Sequence, residues 1–121
     1  MDNSINRYDI AGLAGELELE LSDLVDLFAG YISEMKEEVS EMRKFLNQND
    51  FEMLQRVVHN IKGVSANLNI KDVFKEAEKF DILLKNSMTE DACAHVNMLA
   101  SLIEGAEVKI RSFFMENGYN I

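Results

Sequence analysis

Residues 22–46 read SDLVDLFAGYISEMKEEVSEMRKFL, and their apolar side chains fall at Val25, Phe28, Ile32, Met35, Val39, Met42 and Leu46. The spacing alternates between three and four, which lines one side of an α-helix and is not the two-residue alternation of a half-buried strand. The opposite side carries Glu34, Glu37, Glu38, Glu41 and Lys44, a run suited to a solvated helix face. Ser22 is placed as an N-cap, with Asp23 and Asp26 in the first turn, where carboxylates favour the positive end of the helix dipole. Gly30 weakens the pattern by about 1 kcal/mol relative to alanine and marks a local bend or a close helix contact. A long amphipathic helix over residues 22–47 is expected.

Working outward, the same pattern recurs. The turn Asn47-Gln48-Asn49-Asp50 leads, through a capping box of Asn49 and Glu52, into a helix over 50–68 with the stripe Phe51, Leu54, Val58, Ile61, Ser65 and Leu68. Asn67 and Asn69 suit its end. A helix over 70–85 is carried by Val73 or Phe74, Ala77, Phe80 and Leu84, and Ser87 with Glu90 forms a possible cap for the last one, over 88–117. That helix shows Ala92, Val96, Leu99, Ile103, Ala106, Ile110 and Phe113, and should fray near Asn117 and Gly118. Before all of these, residues 8–16 form a short helix, weakened by Gly12 and Gly15, that serves as a lid. Helices joined by such short links must lie antiparallel. The expected fold is all-α: an up-down-up-down four-helix bundle, one domain over residues 1–121, with the short N-terminal helix capping one end.

Composition agrees. Proline is absent and glycine occurs six times in 121 residues, so little interrupts helices. The single cysteine, Cys93, excludes an internal disulfide and a CxxC pair, which fits a reducing compartment. The opening MDNSINRYDI lacks a basic and then apolar leader, and no segment approaches the roughly 18 uninterrupted apolar residues of a membrane span. A cytoplasmic location is expected. A net charge of -10 repels nucleic acid and anionic membranes. Yet between Glu52 and Asp72 there is no acidic residue, while Arg56, Lys62 and Lys71 fall within that window.

That acid-free window holds the residues able to carry chemistry. On the helix over 50–68, Gln55, Lys62, Gly63 and Ala66 share a face with His59, at offsets of minus four, three, four and seven. Glycine in mid-helix costs roughly 0.5–1 kcal/mol relative to alanine, and a solvated face has no use for that loss. Close helix packing is one explanation and access the favoured one: without a side chain at Gly63 and with only a methyl at Ala66, a partner can lay its backbone beside His59. Lys62 then supplies positive charge on the same face.

The segment His59-Asn60-Ile61-Lys62-Gly63-Val64-Ser65-Ala66-Asn67-Leu68-Asn69 resembles the signature of histidine phosphotransfer (HPt) domains, in which His-x-x-Lys-Gly is followed by small residues and then commonly by Leu-Gly. It departs at Asn69, where the family usually has glycine; asparagine also tolerates the left-handed conformation of a helix end. The motif spans about a tenth of the chain, and helix order and length resemble the family throughout.

The resemblance implies that His59 accepts a phosphoryl group from an aspartyl phosphate on a receiver domain and passes it to the aspartate of another receiver, within a relay begun by a hybrid sensor histidine kinase. A neutral imidazole, with its unperturbed pKa of roughly 6.5, offers a ring-nitrogen lone pair as nucleophile. Transfer needs positioning and charge stabilisation, a task for Lys62. Gln55, Gly63 and Ala66 would meet the partner. By the same resemblance a divalent cation, Mg2+, sits on the receiver's carboxylates, and this chain is a phosphocarrier without catalytic turnover of its own. An acidic chain with a full core gives no reason to demand a dimer, so a monomer is expected.

Other readings compete. A helical adaptor would bind a receiver by the same face without taking phosphate, and a chemotaxis-type kinase would use such a domain ahead of an ATP-binding segment. A di-iron bundle needs Glu-x-x-His pairs, but Arg56 precedes His59 and Ala92 precedes His95 at that spacing. His95 is expected to pack at the core boundary, Ser65 to sit buried and bond back to a helix carbonyl, and the seven methionines to fill the core.

Overall fold

In the computed structural model, which describes residues 8–121, the regular elements are all helices. They are α1 (Ile10–Leu17), α2 (Leu21–Asn47), α3 (Phe51–Asn67), α4 (Lys71–Lys85) and α5 (Ala92–Glu116). The polar opening stretch, residues 1–7, lies outside the described residues.

The long helices are linked by residues 48–50, 68–70 and 86–91. A 17-residue helix such as α3 is about 25 Å long, whereas three extended residues reach only about 10 Å, so each helix returns beside the one before it. α3 lies against α2 and α4, and α5 closes the ring by packing on α2 and α4. The result is the antiparallel up-down-up-down bundle with α1 against its end. Phe28, Phe80 and Phe114 are fully buried at its centre, with the Phe28 and Phe114 rings 5.7 Å apart.

α1 buries Ile10, Leu13 and Ala14 against this core. The segment before it is held by Tyr8, whose hydroxyl donates to Asp72 Oδ1 at 2.7 Å, while Lys109 Nζ donates to Asp72 Oδ2 at 3.3 Å and lies 5.2 Å from the Tyr8 ring centroid. Burial and then the neighbouring Asp72 carboxylate hold the Tyr8 phenol well above its ordinary range. The lid is therefore fastened at the end of the bundle where α4 begins.

All five helices end alike. Glu18, Asn49, Asn69, Ser87 and Gly118 adopt positive φ, and the N–H of the following residue reaches the carbonyl five positions back: Leu19 to Ala14, Asp50 to Phe45, Ile70 to Ser65, Met88 to Leu83 and Tyr119 to Phe114. These are Schellman closures, which satisfy orphan carbonyls. They also correct two expected caps. Ser87 and Asn49 are consumed as left-handed terminators of the preceding helix, so neither caps the next one. α3 is capped by Asp50, whose Oδ1 accepts from Met53 N at 3.1 Å, and α5 begins at Ala92, not at 88. Ser22 lies inside α2, where the Glu20 N–H donates to the Asp23 carboxylate at 3.0 Å.

The apolar stripes also shift phase. Leu24, Phe45 and Phe114 are buried where Val25, Leu46 and Phe113 were expected, and those three are only half-buried. A straight helix drifts about 20° per heptad from a strict 3.5-residue repeat, so over 25 or 27 residues the seam slides one position earlier at the start of α2, to Leu24, and one later at the end of α5, to Phe114; the burial of Phe45 runs against this drift. At Gly30 a Cβ would meet nothing within 4 Å, so no close helix contact explains it, and α2 runs through it uninterrupted. Among the described residues no helix is long and apolar enough to cross a membrane.

Candidate functional site

α3 turns Leu54, Val57, Val58, Ile61 and Ser65 inward, which puts His59, Gly63 and Ala66 on the surface, with Gln55 and Lys62 partly covered between α3 and α4. Ser65 is buried as expected, but its hydroxyl pairs with the Tyr31 hydroxyl at 2.8 Å and not with a carbonyl of its own helix. This bond ties α3 to α2 in the buried core. Burial pushes the Tyr31 phenol up to about 12 although the Ser65 bond opposes it.

The organising residue of the site is Asp81, on α4. Its side chain is wholly buried, and four groups converge on it. Gln55 Nε2 donates to Oδ1 at 2.6 Å, while Oδ2 faces His59 Nδ1 at 3.1 Å, Lys62 Nζ at 3.0 Å and Lys85 Nζ at 3.1 Å. Burial by itself would raise the Asp81 pKa, but the bonds from Gln55, His59, Lys62 and Lys85 outweigh it and hold the carboxyl well below the usual carboxylate range. Asp81 is therefore ionised and can only accept hydrogen bonds.

That settles the tautomer of its neighbour. Facing an acceptor-only oxygen, Nδ1 of a neutral His59 carries the hydrogen, which leaves the Nε2 lone pair free. The His59 side chain is 56% exposed, against 17% for His95. His95 instead stacks on Phe80 at 5.2 Å and lies 3.4 Å from Glu76, in keeping with boundary packing. Only one histidine thus offers an oriented nucleophilic nitrogen at the surface.

Around this imidazole, two ammonium groups share one carboxylate, a local surplus of one positive charge in a chain of net charge -10. Such a surplus suits an incoming phosphoryl group. A Cβ on Gly63 would meet nothing within 4 Å, so helix packing does not require the glycine and the approach beside His59 is open. Flanking the other side, the Asn60 amide donates to Glu34 at 2.9 Å and Glu38 at 3.1 Å. Those two members of the acidic α2 run are held to α3, more than a merely solvated face. Burial, against the Asn60 bond, keeps the Glu38 carboxyl above its ordinary value.

The structure brings together all five residues expected on this face, with two changes. Gln55 and Lys62 direct their donors to Asp81, not simply outward. The acid-free window is acid-free only along the chain, because α4 inserts a carboxylate into it. Asp81 and Lys85 were missed by sequence reasoning. The available signal was an aspartate four residues after Ala77 and three before Leu84, hence on the buried side of α4, with a lysine four residues further on. Among the described residues, no group of three or more His, Cys, Asp or Glu side chains is placed to hold a metal ion.

A protein-family model described as Hpt domain matches residues 26–108, well over half of the chain. Comparisons with curated proteins and with solved structures yield no match. The matched span holds most of α2, the whole of α3 and α4, and the first two thirds of α5, so every residue of the Asp81 cluster falls within it. Hpt domains serve phosphotransfer in two-component signalling, working with receiver domains and kinases. With His59, Lys62 and Gly63 standing on one helix face inside that span, the chain belongs to the Hpt domain family.

Proposed function

We propose that this chain is a phosphorelay intermediate in which His59 accepts a phosphoryl group from a receiver-domain aspartyl phosphate and hands it to the aspartate of another receiver. The observation that carries this reading is the bond between His59 Nδ1 and the ionised Asp81. It fixes the ring and its tautomer and aims Nε2 away from the bundle.

In the transfer, the Nε2 lone pair attacks phosphorus, an N–P bond forms, the acyl P–O bond breaks, and the receiver's carboxylate leaves with the electron pair. No proton need move, because Nδ1 keeps its hydrogen. The ring becomes a phosphorylated imidazolium whose positive charge faces Asp81. Lys62 and Lys85 offset the charge spread over the phosphoryl oxygens in flight. Attack by a second aspartate on the same phosphorus reverses each step. A divalent cation held by the receiver completes the site. Gly63 and Ala66 leave space for the receiver, and Gln55 steadies Asp81 at the edge of the contact. The chain acts as a single, monomeric cytoplasmic domain and as a carrier, since each transfer uses a partner's half-site.

The test is incubation with a labelled phospho-receiver. Wild type should gain acid-labile, base-stable phosphate, and His59→Gln should gain none. Label persisting in that variant would remove His59 from its role. The adaptor reading predicts that His59→Gln leaves both receiver binding and signalling unchanged.

A further inference from the structure

The site continues into a groove of about 550 Å3 between the start of α3 and the end of α4, lined by apolar Phe51 and Leu84 and by polar Glu52, Gln55, Lys85 and Thr89. Gln55 and Lys85 belong to both places: each lines the groove and each bonds to Asp81. We propose that this groove is a specificity pocket for the receiver partner, taking an apolar side chain that the receiver presents beside its phosphorylated aspartate. The inference rests on the receiver-docking part of the proposed function.

Distance carries the first part of the argument. Gln55 and Phe51 lie four and eight residues before His59 on one helix, so the groove runs about 6–12 Å from the imidazole along the α3 axis. A standard protein contact covers about 800 Å2 on each partner, a patch roughly 30 Å across. A receiver that seats its aspartate on His59 therefore covers the groove as well.

Chemistry carries the second. The phosphoryl end of the contact is all charge and hydrogen bonds, which orient but discriminate weakly among partners that share an aspartyl phosphate. Discrimination needs a feature that some receivers fit and others do not, and a concave site that sets apolar Phe51 and Leu84 among polar side chains is of that kind. Met88, between Ser87 and Thr89 in the turn beside the groove, is 53% exposed, and Ile82, next to Asp81, is 52% exposed. These side chains extend the apolar area around the charged centre. The occupant is thus an uncharged aliphatic or aromatic side chain on a receiver, with the phosphoryl group on its Lys85 side.

Thr89→Trp fills the groove from a turn residue outside any helix, and Met98→Trp places equal bulk on exposed α5 as a control. The probe is a panel of isolated, beryllofluoride-activated receiver domains, with dissociation constants measured by titration and folding checked by circular dichroism. Labelling by phosphoramidate, a small donor that needs no docking, reports His59 reactivity separately. Thr89→Trp is expected to weaken the tightest receiver at least 10-fold and to change the ranking of the panel, with phosphoramidate labelling unchanged and Met98→Trp like wild type. An affinity within twofold of wild type in Thr89→Trp, an equal loss in Met98→Trp, or wild type binding no receiver would overturn the pocket. Binding is read without label, so the groove is judged even if His59 takes no phosphate; failure of labelling alone counts against the carrier reading.

Discussion

Replacing Asp81 with asparagine keeps the shape of the side chain and removes its charge. The carboxylate accepts from Gln55, His59, Lys62 and Lys85 from a fully buried position. Bonds to a charged group contribute about 1.5–3 kcal/mol each and neutral ones about 0.5–1.5. The His59 bond should therefore lose about 1–1.5 kcal/mol, equivalent to roughly 10-fold in rate if it acts in the transition state. Lys85 and His59 are about half exposed, so their share of stability is discounted for solvent screening. The summed loss on unfolding is then about 2–3 kcal/mol. Rapid-quench transfer from a phospho-receiver measures the rate, urea unfolding measures the stability, and nitrogen NMR reports the tautomer. In its neutral form, wild-type His59 should show a protonated Nδ1 and an unprotonated Nε2. A hydrogen on Nε2 in the wild type, or transfer by folded Asp81→Asn within twofold of wild type, would refute the positioning role.

Asp81 also sets an acid response. Its native carboxyl is held below the ordinary range, so at acid pH the unfolded chain binds the proton more readily than the native one. Its contribution is fully present above about pH 5 and is lost as pH falls through and below the unfolded value of roughly 3.9; urea midpoints between pH 7 and pH 3 should fall less steeply in Asp81→Asn than in wild type. Gly63→Leu meets open space on the helix, so it should leave stability unchanged or raise it by up to about 0.8 kcal/mol, yet weaken receiver binding at least 10-fold. Transfer at the wild-type rate at limiting receiver concentration would remove the access argument. Tyr8→Phe deletes the bond to Asp72 and should lower stability by about 1 kcal/mol while leaving phosphotransfer unaltered, a split that urea unfolding and the transfer assay read side by side.

Much of the fold was legible because helix periodicity is a local property. The run from Val25 to Leu46 shows which side of α2 faces inward, and links as short as residues 68–70 require antiparallel return. Caps were less legible. Asn49 and Ser87 are good N-cap residues and also serve as left-handed terminators, and which role each takes depends on where the preceding helix stops.

His59, Lys62, Gly63 and Ala66 lie within one stretch of one helix, so their sequence spacing alone placed them on a common face. The groups that complete the site come from elsewhere. Asp81 and Lys85 stand 22 and 26 positions after His59, on a separate helix, and spacing along the chain says nothing about the pairing of two faces across an interface. Only the packing of α4 on α3 brings a buried carboxylate against Nδ1. The amino-acid sequence determined which histidine shares a helix face with Lys62 and Gly63; the tertiary structure decided which of its nitrogens faces a buried carboxylate, because that depends on what lies within 3 Å or so in space.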